Sequence, residues 1–214
     1  LRSLVGSEMC IRDSFYQPKG VLIDPELIET LPKRFIHDGM GEVIKYGCIC
    51  DTVLFKLLQE LDDTTIFDHW EEIIERCCQA KARLVERDER DQGERMVLNF
   101  GHTIGHAIER YYGYGKYTHG EGVAAGMSML TGITEAMGLT KKGTTEILQS
   151  VLTRYGLPTD VDATAQDLLP YVNNDKKMRG NRMTLVILKE IGQARLLPLA
   201  AEELPKYIRK GERL

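Results

Sequence analysis

The chain has 214 residues, 43% hydrophobic and 28% charged, with a formal net charge of −4. That balance belongs to a folded globular protein, and the acidic excess argues against nucleic acid or an anionic membrane as partner, since both demand clustered Lys and Arg. No run of eighteen apolar residues and no apolar signal-peptide core is present, so the chain is expected in the cytosol, acting on a small molecule or another protein.

In chain order, "GVLIDP" (20–25) reads as a short strand stopped by Asp-Pro and leading into helical "ELIETL". From Lys33 to about Leu61, Phe35, Val43, Ile44, Leu54, Leu57 and Leu58 recur at helical spacing, with breaks or tight packing expected at glycines 39, 41 and 47. Asp68 is an expected N-cap for a charged amphipathic helix running to about Asp91, and "VERDERDQGER" reads as a solvated helix end. A helix over 99–112, a "GYGKYT" loop and a small-residue helix from "HGEGVAAGM" follow. A further helix ends at Tyr155, closed by Gly156 and Pro158, and a short one covers Asp162 to Asn173. "MTLVILKEIGQARLLPL" (183–199) predicts a β-hairpin. The fold class is mainly α, with a little β structure at either end. No G-x-G-x-x-G fingerprint of a dinucleotide site is present.

The five cysteines (Cys10, Cys48, Cys50, Cys77, Cys78) match neither a disulfide framework nor C-x-x-C zinc pairs, and are expected to be reduced and mostly buried. Three of the five histidines fall within "LNFGHTIGHAIERYYGYGKYTHGEG". His102 and His106 are one helical turn apart, so both imidazoles leave the same face, where they could share a metal or simply pack. His119 opens the next helix, which antiparallel packing could return to the same region. Of the 32 acidic residues, Glu42 in "GMGEVIKYG" stands out as a carboxylate in an apolar stretch where burial needs a partner, either a metal or Lys45 at i+3.

"FYQPKGVLID", "LPKRFIHDGMGEVIKYG", "GERMVLNFGHTIGHAIE", "HGEGVAAGM" and "DKKMRGNRMTLVIL" together resemble the C-terminal, metal-binding domain of the 3-dehydroquinate synthases over roughly residues 15–200. Other sugar-phosphate cyclases share these motifs, and metal-dependent alcohol and glycerol dehydrogenases are more distant relatives. The resemblance implies Glu42, His102 and His119 as metal ligands, for Zn2+ or Co2+. It makes His106 a substrate-side residue, against the spacing argument that pairs it with His102 on the ion. Lys45 and His106 are then the candidate catalytic residues. Lys81, Arg95, Asn99, Lys176 and Lys177 are candidates to bind the substrate's carboxylate and phosphate, Arg in bidentate fashion and Lys as point charges.

The implied reaction converts 3-deoxy-D-arabino-heptulosonate 7-phosphate to 3-dehydroquinate and phosphate. NAD oxidises the C5 hydroxyl, phosphate is eliminated, the ketone is reduced, and the ring opens and recloses by an aldol step. The implied architecture is a two-domain α/β enzyme, and the Rossmann-like N-terminal domain that holds NAD is absent from these 214 residues. A homodimer is implied, with Arg95 a candidate to act across subunits. Residues 1–14, "LRSLVGSEMCIRDS", stand where the family has a Gly-Lys-rich substrate segment, with Met9 and Cys10 in place of a Lys-Asn pair. They are expected to be unrelated to the domain at 15–214, a product of truncation or sequence assembly. The alternatives are a related cyclase with another substrate and a non-catalytic metal-binding helical domain.

Overall fold

A computed structural model describes residues 19–89, 93–113, 115–172 and 182–208, and the chain divides into two compact units, 1–30 and 31–214. In the first unit the described part holds one 3-10 turn, Pro25–Thr30. The strand expected over 20–25 does not form. A strand needs a partner for its backbone groups, and the sheet among the described residues is a two-stranded one built elsewhere. Asp24 turns the chain instead, its Oδ1 accepting from the Glu26 N–H at 3.1 Å.

Among the described residues, the second unit is a helical bundle carrying one β-hairpin. Its helices are α1 (Lys33–Ile49), α2 (Thr52–Glu60), α3 (Trp70–Arg87), α4 (His102–Tyr111), α5 (His119–Ala136), α6 (Thr144–Arg154) and α7 (Ala165–Val172). The hairpin follows as β1 (Arg182–Glu190) and β2 (Gln193–Ala200), and 3-10 turns cover Thr65–His69, Glu94–Asn99 and Ala201–Tyr207.

Helix α1 runs unbroken through glycines 39, 41 and 47, because two of them serve packing. A Cβ on Gly41 would meet the Gly120 carbonyl oxygen at 2.7 Å, and one on Gly47 would lie 3.1 Å from the Phe55 Cα. The break comes at Cys50, where Asp51 caps α2 by accepting from the Val53 and Leu54 N–H groups. Helix α3 starts at Trp70, later than expected, with Asp68 inside the preceding 3-10 turn. It also ends early, at Arg87, because the Asp88 carboxylate accepts from the Gly93 and Arg95 N–H groups and draws the chain toward the next turn.

One apolar core joins α4, α5, α7 and the hairpin through Ile104, Ile108, Leu130, Leu168, Leu185 and Ile187. Each such side chain, fully buried, stabilises the fold by about 1.5–3 kcal/mol. Strand β1 pairs antiparallel with β2 from Arg182↔Ala200 to Leu188↔Ala194. Its turn is tied to α1 by the Gly192 N–H donating to the Cys48 carbonyl at 2.8 Å, and beside that turn the buried Thr140 hydroxyl, just past the end of α5, donates to the Leu188 carbonyl at 2.7 Å. Among the described thiols, Cys48 is buried but Cys50 and Cys78 are exposed, so the expectation of mostly buried cysteines fails. Cys10 and residues 1–14 lie outside the described residues. No helix among the described residues is long and apolar enough to cross a membrane.

Candidate metal centre

Three helices converge at the site because their backbones approach closely. A Cβ on Gly105 of α4 would lie 2.9 Å from the Val123 nitrogen of α5, and one on Gly126 would overlap the Gly101 carbonyl. Gly101 also takes a left-handed φ of 78°, which sets the start of α4 at His102. Helix α1 reaches the first turn of α5 through a ladder at four-residue spacing, one stripe of a helix. The Arg34 guanidinium donates to both Glu121 oxygens at 3.0 and 2.9 Å, Asp38 Oδ1 accepts from the Gly120 N–H, and Glu42 faces His119. Glu121 further accepts from the Thr118 N–H at 2.9 Å, holding the entry to α5.

The ligand atoms of Glu42, His102 and His119 all lie within 4.8 Å of one another. Glu42 Oε1 is 3.3 Å from His102 Nε2 and 3.6 Å from His119 Nε2. Both rings are tied from behind, His102 Nδ1 to the Phe100 carbonyl at 3.1 Å and His119 Nδ1 to Glu109 Oε1 at 3.0 Å. With Nδ1–H donating in each ring, Nε2 is in both cases the ring atom turned toward Glu42. The other Glu42 oxygen, Oε2, accepts from the Lys45 ammonium at 2.5 Å. Oε1 itself is buried with no hydrogen-bond partner, a state that costs free energy. Two imidazole nitrogens and an orphaned carboxylate oxygen are a donor set that suits Zn2+ or Co2+.

Electrostatics follow the geometry. Burial alone would push the Glu42 carboxyl up, but His102, His119 and Lys45 together hold it well below the usual carboxylate range. Burial pulls the Lys45 ammonium down, with Glu42 opposing. The Glu109 carboxylate, ahead of that of Glu42, raises the His119 imidazole to about 10.

His106 stands beside the triad, its ring centroid 5.5 Å from that of His102 and 5.7 Å from that of His119. The nitrogen pairing that spacing offered, His102 with His106, is not the one that converges on Glu42. His106 groups instead with Glu109 and His119. Lys45 is buried against Glu42, with Lys81 of α3 near enough to oppose its charge. Arg95 and Asn99 sit on the turn before α4, the Arg95 guanidinium donating to the Glu89 carbonyl and the Asn99 amide to the Met96 carbonyl. Lys176 and Lys177 lie outside the described residues. Sequence reasoning missed Glu109. Its signal was there, since it is i+3 from His106 and i+7 from His102 on the same helical face.

The fold is one shared with solved sugar cyclases. The chain superposes with a TM-score of 0.78 on a 2-deoxy-scyllo-inosose synthase complexed with carbaglucose-6-phosphate, NAD+ and Co2+, at 24% identity, covering 92% of this chain and 58% of that one. With 2-epi-5-epi-valiolone synthase from Streptomyces hygroscopicus, bound to NAD+ and Zn2+, the TM-score is 0.76 at 20% identity, covering 86% and 52%.

Sequence resolves the family within that fold. Residues 39–178 match the 3-dehydroquinate synthase C-terminal family. The chain is 50% identical over 198 residues to the 3-dehydroquinate synthase of Clostridium acetobutylicum, and 48% identical over 200 residues to that of Streptococcus pneumoniae. Each alignment covers 92% of this chain and 56% of the relative, so the chain spans little more than half the length of these relatives. The chain belongs to the 3-dehydroquinate synthase family.

Proposed function

We propose that residues 15–214 are the metal- and substrate-holding half of a cytosolic, homodimeric 3-dehydroquinate synthase of aromatic amino acid biosynthesis, with residues 1–14 no part of that domain. The substrate is 3-deoxy-D-arabino-heptulosonate 7-phosphate and the products are 3-dehydroquinate and phosphate. Identity of 47–50% to named synthases, against 20–24% to cyclases of other sugars, favours this substrate over a related one. The observation that carries the reading is the convergence of His102 Nε2 and His119 Nε2 on the orphaned Glu42 Oε1 in a chain of this family.

Glu42, His102 and His119 would hold the ion; Zn2+ or Co2+ bound there would supply Lewis acidity toward adjacent substrate oxygens, and NAD would supply the hydride chemistry. NAD itself is bound mainly by residues beyond these 214. Lys45 fixes one Glu42 oxygen so that the other faces the imidazoles, and supplies positive charge at the edge of the site. His106, beside both ligand rings, holds or passes a proton on the substrate that the ion grips. Lys81, Arg95, Asn99 and the pair Lys176 and Lys177 bind its carboxylate and phosphate.

The test is metal content of the purified chain by mass spectrometry, with His102→Ala and His119→Ala alongside, then phosphate release after joining the chain to the N-terminal half of the C. acetobutylicum relative. One equivalent of metal, lost in both variants, and phosphate released from the heptulosonate are the expected results. Turnover of a hexose 6-phosphate instead would move the chain to another cyclase activity. A folded chain that takes up no metal would overturn the reading.

A further inference from the structure

The two ligand histidines are held in different ways. His102 is mostly buried, and its Nδ1 faces a backbone carbonyl, that of Phe100, which no side-chain change can remove. His119 is the first residue of α5, and its side chain is 44% exposed. Asp38 and Arg34 of α1 fix its surroundings through Gly120 and Glu121 but do not hold the imidazole ring itself. What meets that ring from behind is Glu109 of α4, whose side chain is 13% exposed and whose Oε1 lies 3.0 Å from His119 Nδ1.

Two physical arguments give that contact a task. A carboxylate accepting Nδ1–H selects the tautomer with a bare Nε2 and makes that nitrogen a stronger donor. The position of His119 makes such help necessary, because the partial positive charge at a helix N-terminus opposes electron donation from an imidazole placed there. Glu109 supplies the compensating negative charge. The same carboxylate lies within 4.8 Å of ligand atoms of both His106 and His119, so one acid spans the proposed metal ligand and the proposed proton carrier.

We propose that Glu109 is a positioning residue of the metal centre, locking the tautomer and orientation of His119 and setting the strength with which it binds the ion. The proposal rests on the metal-site reading above.

Its test is a Co2+ titration of the 214-residue chain, followed by visible d–d absorption, on the wild type, Glu109→Ala, Glu109→Gln and His102→Ala. The expected result is one equivalent in the wild type, none in His102→Ala, and an affinity lowered about 10–100-fold in Glu109→Ala. Glu109→Gln, which keeps an acceptor but no charge, should fall between them and guards against a folding failure of the alanine variant. In the Zn2+ form, the wild type should show a slowly exchanging, downfield imidazole Nδ1–H proton resonance that Glu109→Ala lacks, a signature a merely structural role would not produce. If both Glu109 variants fold and bind Co2+ like the wild type with the same spectrum, the inference is overturned while the metal site stands. If the wild type takes up no Co2+, or His102→Ala binds as well as it does, the metal-site reading fails and takes this inference with it.

Discussion

The Glu42 carboxylate meets Lys45 through one oxygen and two imidazoles through the other, so neutralising it acts twice. Glu42→Gln should abolish metal uptake and, by leaving the buried Lys45 ammonium without its counter-charge, lower stability by about 1–3 kcal/mol. The cost stays below the roughly 3–5 kcal/mol of a fully buried pair because the Glu42 side chain is 35% exposed. A shift in the urea midpoint at unchanged slope is the measurement. His119 carries a pH prediction, with Glu109, Glu42, His102 and His106 around it. Its folded-state value of about 10 lies above the ordinary 6.5, so its protonated form stabilises the metal-free chain fully below pH 6.5, and that contribution is lost as pH rises through about 10. Metal binding runs the other way, because the ion displaces that proton. Co2+ affinity should therefore rise between pH 6 and 8, by about tenfold per unit for each proton released, while the contribution of this group to the stability of the metal-free chain falls above pH 6.5. Calorimetry in buffers of different ionisation enthalpy would count the protons, and a pH-independent affinity would contradict the assignment.

Helices α4 and α5 touch through glycines, and this is where element-scale prediction applies. Gly105→Ala would gain up to about 1 kcal/mol of helix propensity. The added Cβ, however, would meet the backbone of Gly122 and Val123 at 2.9–3.0 Å, and backbone cannot swing aside. Overpacking of this kind costs about 1–3 kcal/mol, so the net effect should be destabilising and should spread α4 from α5, weakening Co2+ binding as well as lowering the urea midpoint. Unchanged binding would show that the close crossing does not set the ligand spacing. The same glycines explain where reading elements from sequence succeeded and failed. Apolar periodicity located the helices and the hairpin, since both patterns are local. The glycines of α1 pointed to breaks or tight packing, and tight packing without a break is what formed, because the atoms that need the space belong to residues 55 and 120. The early end of α3 likewise depends on an Asp88 contact with residues 93 and 95.

At the scale of the whole molecule, the proposed metal, held by side chains from three helices, would bind the folded chain in preference to the unfolded one. At free Zn2+ about 100-fold above its Kd, the stabilisation is about 2.7 kcal/mol. For a domain near 200 residues this corresponds to a rise in Tm of about 5–10 °C. A melt with and without Zn2+ should show it, His102→Ala should not, and a chelator should reverse it. Residues 31–214 form one compact unit, so the gain should appear as a shift of one cooperative transition. The sequence by itself determined the helical class, the hairpin and, through five motifs in order, the family and its candidate ligands, because residue identity and short spacing carry that information. Tertiary structure alone decided which imidazole nitrogens face Glu42, that Phe100 and Glu109 hold them from behind, and that Arg34, Asp38 and Glu42 clasp the start of α5. These facts depend on where residues far apart in the chain meet, and on ring rotations that only the surrounding acceptors select.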